Sequence, residues 1–180
     1  MKLDITSDPF AHPPQRVWDL LLDPQVLSKL LPGVEKFEEV GPDQYAVVVK
    51  MGVGAVRGVY TGKITLAEKN PPSNYRLRGE GKGAPGWAKG DVLMTLIPEN
   101  GGTRVRAQAD AQIGGAIAGV GQRMIEGVAK SMAREFFAAI DRELAGRKQP
   151  TTAVGFSFRL ILRIVRDFFA SLFGRRSDSR

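Results

Sequence analysis

Residues 75–96 read YRLRGEGKGAPGWAKGDVLMTL, and within them GKGAPG (81–86) matches the G-x-G-x-x-G pattern of dinucleotide-binding loops. That pattern holds a pyrophosphate only where a strand runs into the N-terminus of a helix, whose free amides face the ligand. Here the glycines are followed by WAKGDVLMTLI (87–97), which alternates as a strand does. Two strands therefore flank the turn, no helix N-terminus is available, and the stretch reads as a β-hairpin.

Side chains on a strand alternate between its two faces. In YRLRGEGKG one face carries Tyr75, Leu77, Gly79, Gly81 and Gly83, and the other Arg76, Arg78, Glu80 and Lys82. The charged face belongs to solvent, so the glycine face points inward. In TRVRAQADAQI (103–113) the same sorting turns Val105, Ala107, Ala109, Ala111 and Ile113 inward, and in WAKGDVLMTL it turns Ala88, Gly90, Val92 and Met94 inward. Three strands thus offer an apolar but small inner face. Small side chains leave either open volume, suited to an apolar ligand, or room for sheet curvature and close helix approach.

Moving outward, period-two patterns run from residue 34 to 113, broken by turn residues at 41–43, 52–54, 70–74, 83–86 and 99–102, which predicts about six strands joined by hairpins. KLDITSDPF (2–10) adds a first strand. Between them, PPQRVWDLLLDPQVLSKLLPG (13–33) has helical spacing interrupted at Asp23-Pro24, hence two short helices. Residues 117–145 predict one long helix with the stripe Ile125, Val128, Met132, Phe136 and Ile140. The order implies an α+β helix-grip domain, a curved antiparallel sheet of about seven strands wrapped on its C-terminal helix. Successive hairpins alternate ends, so the glycine-rich loops near 51–58, 81–90 and 113–121 share one rim, with Trp87 at a loop tip as a lid, a membrane contact or a partner contact. The expected ligand lining is Val49, Met51, Tyr60, Leu77, Gly79, Gly81, Gly83, Gly90, Met94, Ala107, Ala109, Ala111 and Ile113 from the sheet, with Trp87 at the rim. Ile117, Gly121, Met124, Ile125, Val128 and Met132 complete it from the helical side.

Catalytic and metal chemistry find little footing. There is no cysteine, and His12, the single histidine, stands beside two prolines without ligand spacing around it. No inward strand position assigned here carries Asp, Glu, Lys or His, although Tyr45, Tyr60 and Tyr75 have hydroxyls to offer. The expectation is binding without catalysis.

The formal charge of +7 is uneven, because residues 151–180 hold 6 Lys+Arg against 2 Asp+Glu. Three units are expected: a ligand-binding domain over 1–146 with a linker over 147–152, an amphipathic helix over 153–174, and a basic disordered end over 175–180. In the helix Arg159, Arg163 and Arg166 share one face, while Phe156, Leu160, Ile161, Ile164, Phe168, Phe169, Leu172 and Phe173 cover the rest. Each arginine would cost roughly 2.5–3.5 kcal/mol inside a bilayer, so the reading is an interfacial helix on anionic lipid, with docking on a partner or another copy as the alternative. Nucleic acid is not expected. The N-terminal MKLDIT shows no secretory pattern, so the expected location is cytoplasmic, at the inner face of the cell membrane.

LPGVEKFEEVGPDQYAVVVKMGVG (31–54), the hairpin 81–90 and, above all, IGGAIAGVGQRMIEGVAKSMAREFF (113–137) resemble the carbon monoxide dehydrogenase CoxG family, within the START-like (SRPBCC) superfamily. The similarity spans about residues 1–145, with GGAIAGVG (114–121) its most specific part. Val34 stands where many members have cysteine. The resemblance implies an accessory protein that attaches a molybdenum CO dehydrogenase, or a related hydroxylase, to the cytoplasmic membrane, with a menaquinone-type respiratory quinone in the cavity. Two other readings stay open: a polyketide-cyclase-like or hydratase-like enzyme on an aromatic or acyl substrate, and a purely structural membrane adaptor.

Overall fold

The computed structural model describes residues 1–52 and 56–146; the expected linker, amphipathic helix and basic end lie outside the described residues. Strand β1 (Lys2–Thr6) leads into helices α1 (Pro14–Leu21) and α2 (Pro24–Leu30). Six strands follow: β2 (Val34–Gly41), β3 (Gln44–Met51), β4 (Gly58–Asn70), β5 (Asn74–Gly83), β6 (Gly86–Glu99) and β7 (Gly102–Gly114). A short 3-10 turn (Ala116–Val120) then precedes the long helix α3 (Gln122–Leu144). The strands form one seven-stranded antiparallel sheet in the order β1-β7-β6-β5-β4-β3-β2. This is the helix-grip architecture that the order of elements implies.

Local chemistry explains the boundaries. Asp23 caps α2, its Oδ1 accepting hydrogen bonds from the amides of Gln25 at 2.8 Å and Val26 at 3.4 Å, while Pro24 takes the first helical position, where no amide donor is needed. The long helix begins at Gln122, later than the expected residue 117. Gly121 sits at φ +89°, outside helical space, so the chain makes a separate 3-10 turn before α3 starts at Gln122.

The core lies at one end of the sheet. Phe10, Val17, Trp18, Leu21 and Leu30 pack with Tyr45, Val47, Leu66, Tyr75, Met94, Leu96 and Val105 under the C-terminal half of α3, represented by Phe137, Ile140 and Leu144. Trp18 meets Tyr75 edge to face at 5.4 Å between ring centroids, a favoured aromatic geometry. All the strand residues in this group lie near the turns at 41–44, 70–74 and 99–102, far from the glycine-rich rim. On the outer face, ion pairs strap neighbouring strands together: Arg76 and Arg78 to Glu68 at 2.9 Å each, Arg104 to Glu99 at 2.6 Å, and Arg106 to Asp4. Hydrogen bonds from these guanidiniums hold the Asp4, Glu68 and Glu99 carboxyls below their ordinary range.

Candidate functional site

Toward the rim the inner face changes character. Val49, Met51, Leu77, Ala107, Ala109, Ala111 and Ile113 are half-buried, and so are Met124, Ile125, Val128 and Met132 on the helix above them. Two facing apolar surfaces that packed directly on one another would be buried, as they are at the core end. In the rim half they are not. The nearest backbone neighbours of α3 are α1, α2, β1 and the 3-10 turn rather than the central strands.

The glycines divide into two groups, which corrects the expectation that all of them vacate space. A Cβ added at Gly79 would meet nothing within 4 Å, and one at Gly81 would find its nearest neighbour, the Thr61 carbonyl oxygen, at 3.6 Å. Gly79 therefore faces open volume, and a methyl group at Gly81 would fit in ordinary contact. At Gly90, however, a Cβ would stand 2.5 Å from the carbonyl oxygen of Asp110, and at Gly83 2.5 Å from that of Val59. Gly62 likewise has the Glu80 carbonyl in the way. At Gly62, Gly83 and Gly90 the missing side chain lets the adjacent strand's backbone come close and the sheet curl.

The three glycine-rich loops do meet at one rim. Pro85, at the tip of the β5–β6 hairpin, lies where a Cβ on Gly58 would touch its ring at 3.0 Å, and its carbonyl accepts a hydrogen bond from the Ile117 amide at 2.9 Å. Gly115, at φ +83°, lies so near Gly86 that a Cβ would stand 2.6 Å from the Gly86 Cα. Beside this junction an open recess of about 350 Å³ lies between the end of β7 and the first turn of α3, lined by Met1, Ala111, Gln112, Ile113, Ala118, Gln122 and Ile125. A second hollow of about 580 Å³ on the outer face is lined mainly by charged side chains, among them Lys63, Arg78, Glu80, Asp91 and Asp110. The cross-strand pair Gly79–Gly90 lies among its lining.

Three expected lining residues are placed elsewhere. Met94 belongs to the packed core. Trp87 shares the outer face with Lys89, whose Nζ lies 5.9 Å from the indole centroid, so it does not face the interior. The pairing Trp87–Gly114 puts its ring over the outward face of Gly114, where an added Cβ would collide with it. Gly121 is exposed at the helix start. Of the tyrosines, Tyr60 donates its hydroxyl to the Val56 carbonyl at 3.0 Å, Tyr45 stacks on Phe37 at 4.9 Å, and Tyr75 is buried against Trp18. Burial pushes the Tyr75 phenol far above its ordinary range. Met1, Gln112, Ala118 and Gln122 line the recess without having been expected there. Met1 joins the recess because its amine donates to the Ala111 carbonyl at 2.6 Å, a pairing across the whole domain that no local pattern announces.

A family model described as the CoxG subunit of carbon monoxide dehydrogenase matches residues 10–145. The chain belongs to the CoxG family. Among solved structures, a conserved protein from Geobacillus kaustophilus is 33% identical, with a TM-score of 0.77, covering 81% of this chain and 96% of its own. The protein TTHA0849 of Thermus thermophilus is 16% identical with a TM-score of 0.63, covering 83% of this chain and all of its own (100%). Protein Ms6760 of Mycobacterium smegmatis is 21% identical with a TM-score of 0.57, covering 82% and 92%. The last two share the helix-grip fold. None of the curated proteins matches the chain. Membership in the CoxG family agrees with an accessory rather than a catalytic role.

Proposed function

We propose that this chain is a non-enzymatic accessory protein that holds an apolar ligand between the rim half of the sheet and the N-terminal half of α3. One observation carries the reading: Gly79 borders open volume, and Ala109 and Ala111 on the sheet and Ile125, Val128 and Met132 on α3 all remain half-buried, with Ala111 and Ile125 lining the same recess. No inward strand position in that half carries Asp, Glu, Lys, Arg or His, so the lining favours uncharged ligands and provides no acid–base pair. The CoxG match supplies the context of carbon monoxide dehydrogenase. An apolar site beside a redox enzyme suits a membrane-soluble electron carrier, and we assign a respiratory quinone of the menaquinone type. The partner is a molybdenum CO dehydrogenase or related hydroxylase, which the protein would couple to the electron-transport chain at the inner face of the cytoplasmic membrane.

The basic, phenylalanine-rich segment 153–174 would hold the protein on anionic lipid. Organic extraction of the protein purified from its own host, followed by mass spectrometry, tests the ligand. An isoprenoid quinone at near-stoichiometric yield is the expected result; repeated extracts without one would remove the assignment.

A further inference from the structure

We infer that the outer face of the glycine-rich rim, centred on Trp87 with Lys82 and Lys89, is a second membrane contact that sets the mouth of the recess against an anionic bilayer. The inference builds on the membrane-facing reading above but stands on different residues, all within the folded domain.

Trp87 is 42% exposed and Val59 49% exposed, and both lie at the rim end of the outer face. Trp87 pairs across strands with Lys82 on one side and Gly114 on the other, and Lys89 lies over its ring at 5.9 Å. Arg57 adds a further exposed cation in the neighbouring β3–β4 loop. Among the described residues, neither Lys82, Lys89 nor Arg57 forms an ion pair, whereas Arg76, Arg78, Arg104 and Arg106, farther from the rim, are all paired with carboxylates. The cations at this end are therefore free to meet an outside anion. Glu80 is the nearest outward carboxylate, one row below Trp87.

A bilayer fits this surface better than a protein does. Two exposed apolar side chains are far less than the ~800 Å² per partner that a stable protein interface buries. A lipid surface needs no shape complementarity: an amphipathic indole settles at the headgroup level while flanking lysines, with their apolar stems, reach the phosphates. Position supplies a further argument. Gln112 lines the recess and is the cross-strand neighbour of Lys89, so docking this rim would bring the recess to the lipid from which an apolar ligand must come.

The two tryptophans make the test direct. Trp18 is buried in the core at 5% exposure, so a lipid-borne quencher reaches only Trp87. The full-length chain is mixed with phosphatidylcholine/phosphatidylglycerol vesicles carrying brominated acyl chains, and both emission and sedimentation are followed. The expected result is a blue shift with quenching that disappears in Trp87→Phe. Quenching should weaken by about fivefold in partition for each lysine removed in Lys82→Gln and Lys89→Gln. Protein that pellets and carries quinone but whose emission is unchanged would overturn the rim contact while leaving the carrier reading intact. Equal quenching by neutral phosphatidylcholine vesicles would overturn the role of the lysines. A blue shift that grows with protein concentration without lipid would assign the rim to a second copy of the chain, and protein that neither pellets nor quenches would overturn both membrane contacts.

Discussion

The indole of Trp87 lies over Gly114, its cross-strand partner on the outer face, so closely that a single added methyl group would displace it. Gly114→Ala should therefore swing the ring away from the sheet. We expect a red-shifted, more acrylamide-accessible emission component, while Trp18 remains buried and thermal stability changes by about 1 kcal/mol or less. Unchanged quenching by acrylamide would mean that the ring does not rest on Gly114 in solution.

The two kinds of glycine should separate on substitution. Gly79→Ala adds a methyl group to open space and removes unfolded-state freedom, so urea melts should show it neutral or stabilised by about 0.5 kcal/mol. Gly90→Ala forces a Cβ against the Asp110 carbonyl and should destabilise by about 1–3 kcal/mol.

Filling the space beneath α3 should abolish ligand binding without unfolding the domain. Ala109→Phe and Gly79→Leu place bulk between sheet and helix in the half where the facing side chains are loosely covered. The expected result is soluble protein with a native melting transition and no extractable quinone. Retention of quinone by both variants would place the ligand elsewhere.

The contrast between the halves of the domain is measurable on the helix itself. Ile140 is fully buried at the core end, and Ile140→Ala should cost about 2–5 kcal/mol. Ile125 borders the recess, and because its side chain is already only half covered, Ile125→Ala should cost about 1 kcal/mol.

Acid should weaken the fold through the outer-face straps. Asp4, Glu68 and Glu99 are held below their ordinary range by hydrogen bonds from Arg106, Arg76 and Arg104. Each therefore binds its proton less readily when folded than when unfolded, and its contribution is present above the unfolded carboxylate range of about pH 4 and lost as the pH falls below it. Since all three carboxylates are solvent-accessible, the effect should be modest and should shrink further in high salt. Melting temperatures between pH 7 and pH 3, at two salt concentrations, measure it.

Period-two alternation in residues 34–113 and the break at Asp23-Pro24 carried the elements, their order and the inward direction of Tyr75, Leu77 and Val105, because burying one face is a local demand written into every second residue. The GKGAPG match was likewise resolvable locally, since a strand follows it. The functions of individual glycines were not. Gly79 and Gly90 look alike in sequence and are paired across strands, yet one faces open volume and the other a carbonyl of β7. That difference depends on how tightly the sheet coils, which only the assembled strands decide. Trp87 was readable as a rim residue, and alternation with Ala88 and Gly90 turned it to the outer face, but its seat over Gly114, and the joining of Met1 to Ala111 at the recess, arise from register between strands distant in the chain. Sequence alone determined which side chains point inward; tertiary structure decided which of them meet a neighbour and which meet space, because that depends on backbone separations set by the whole sheet and helix together.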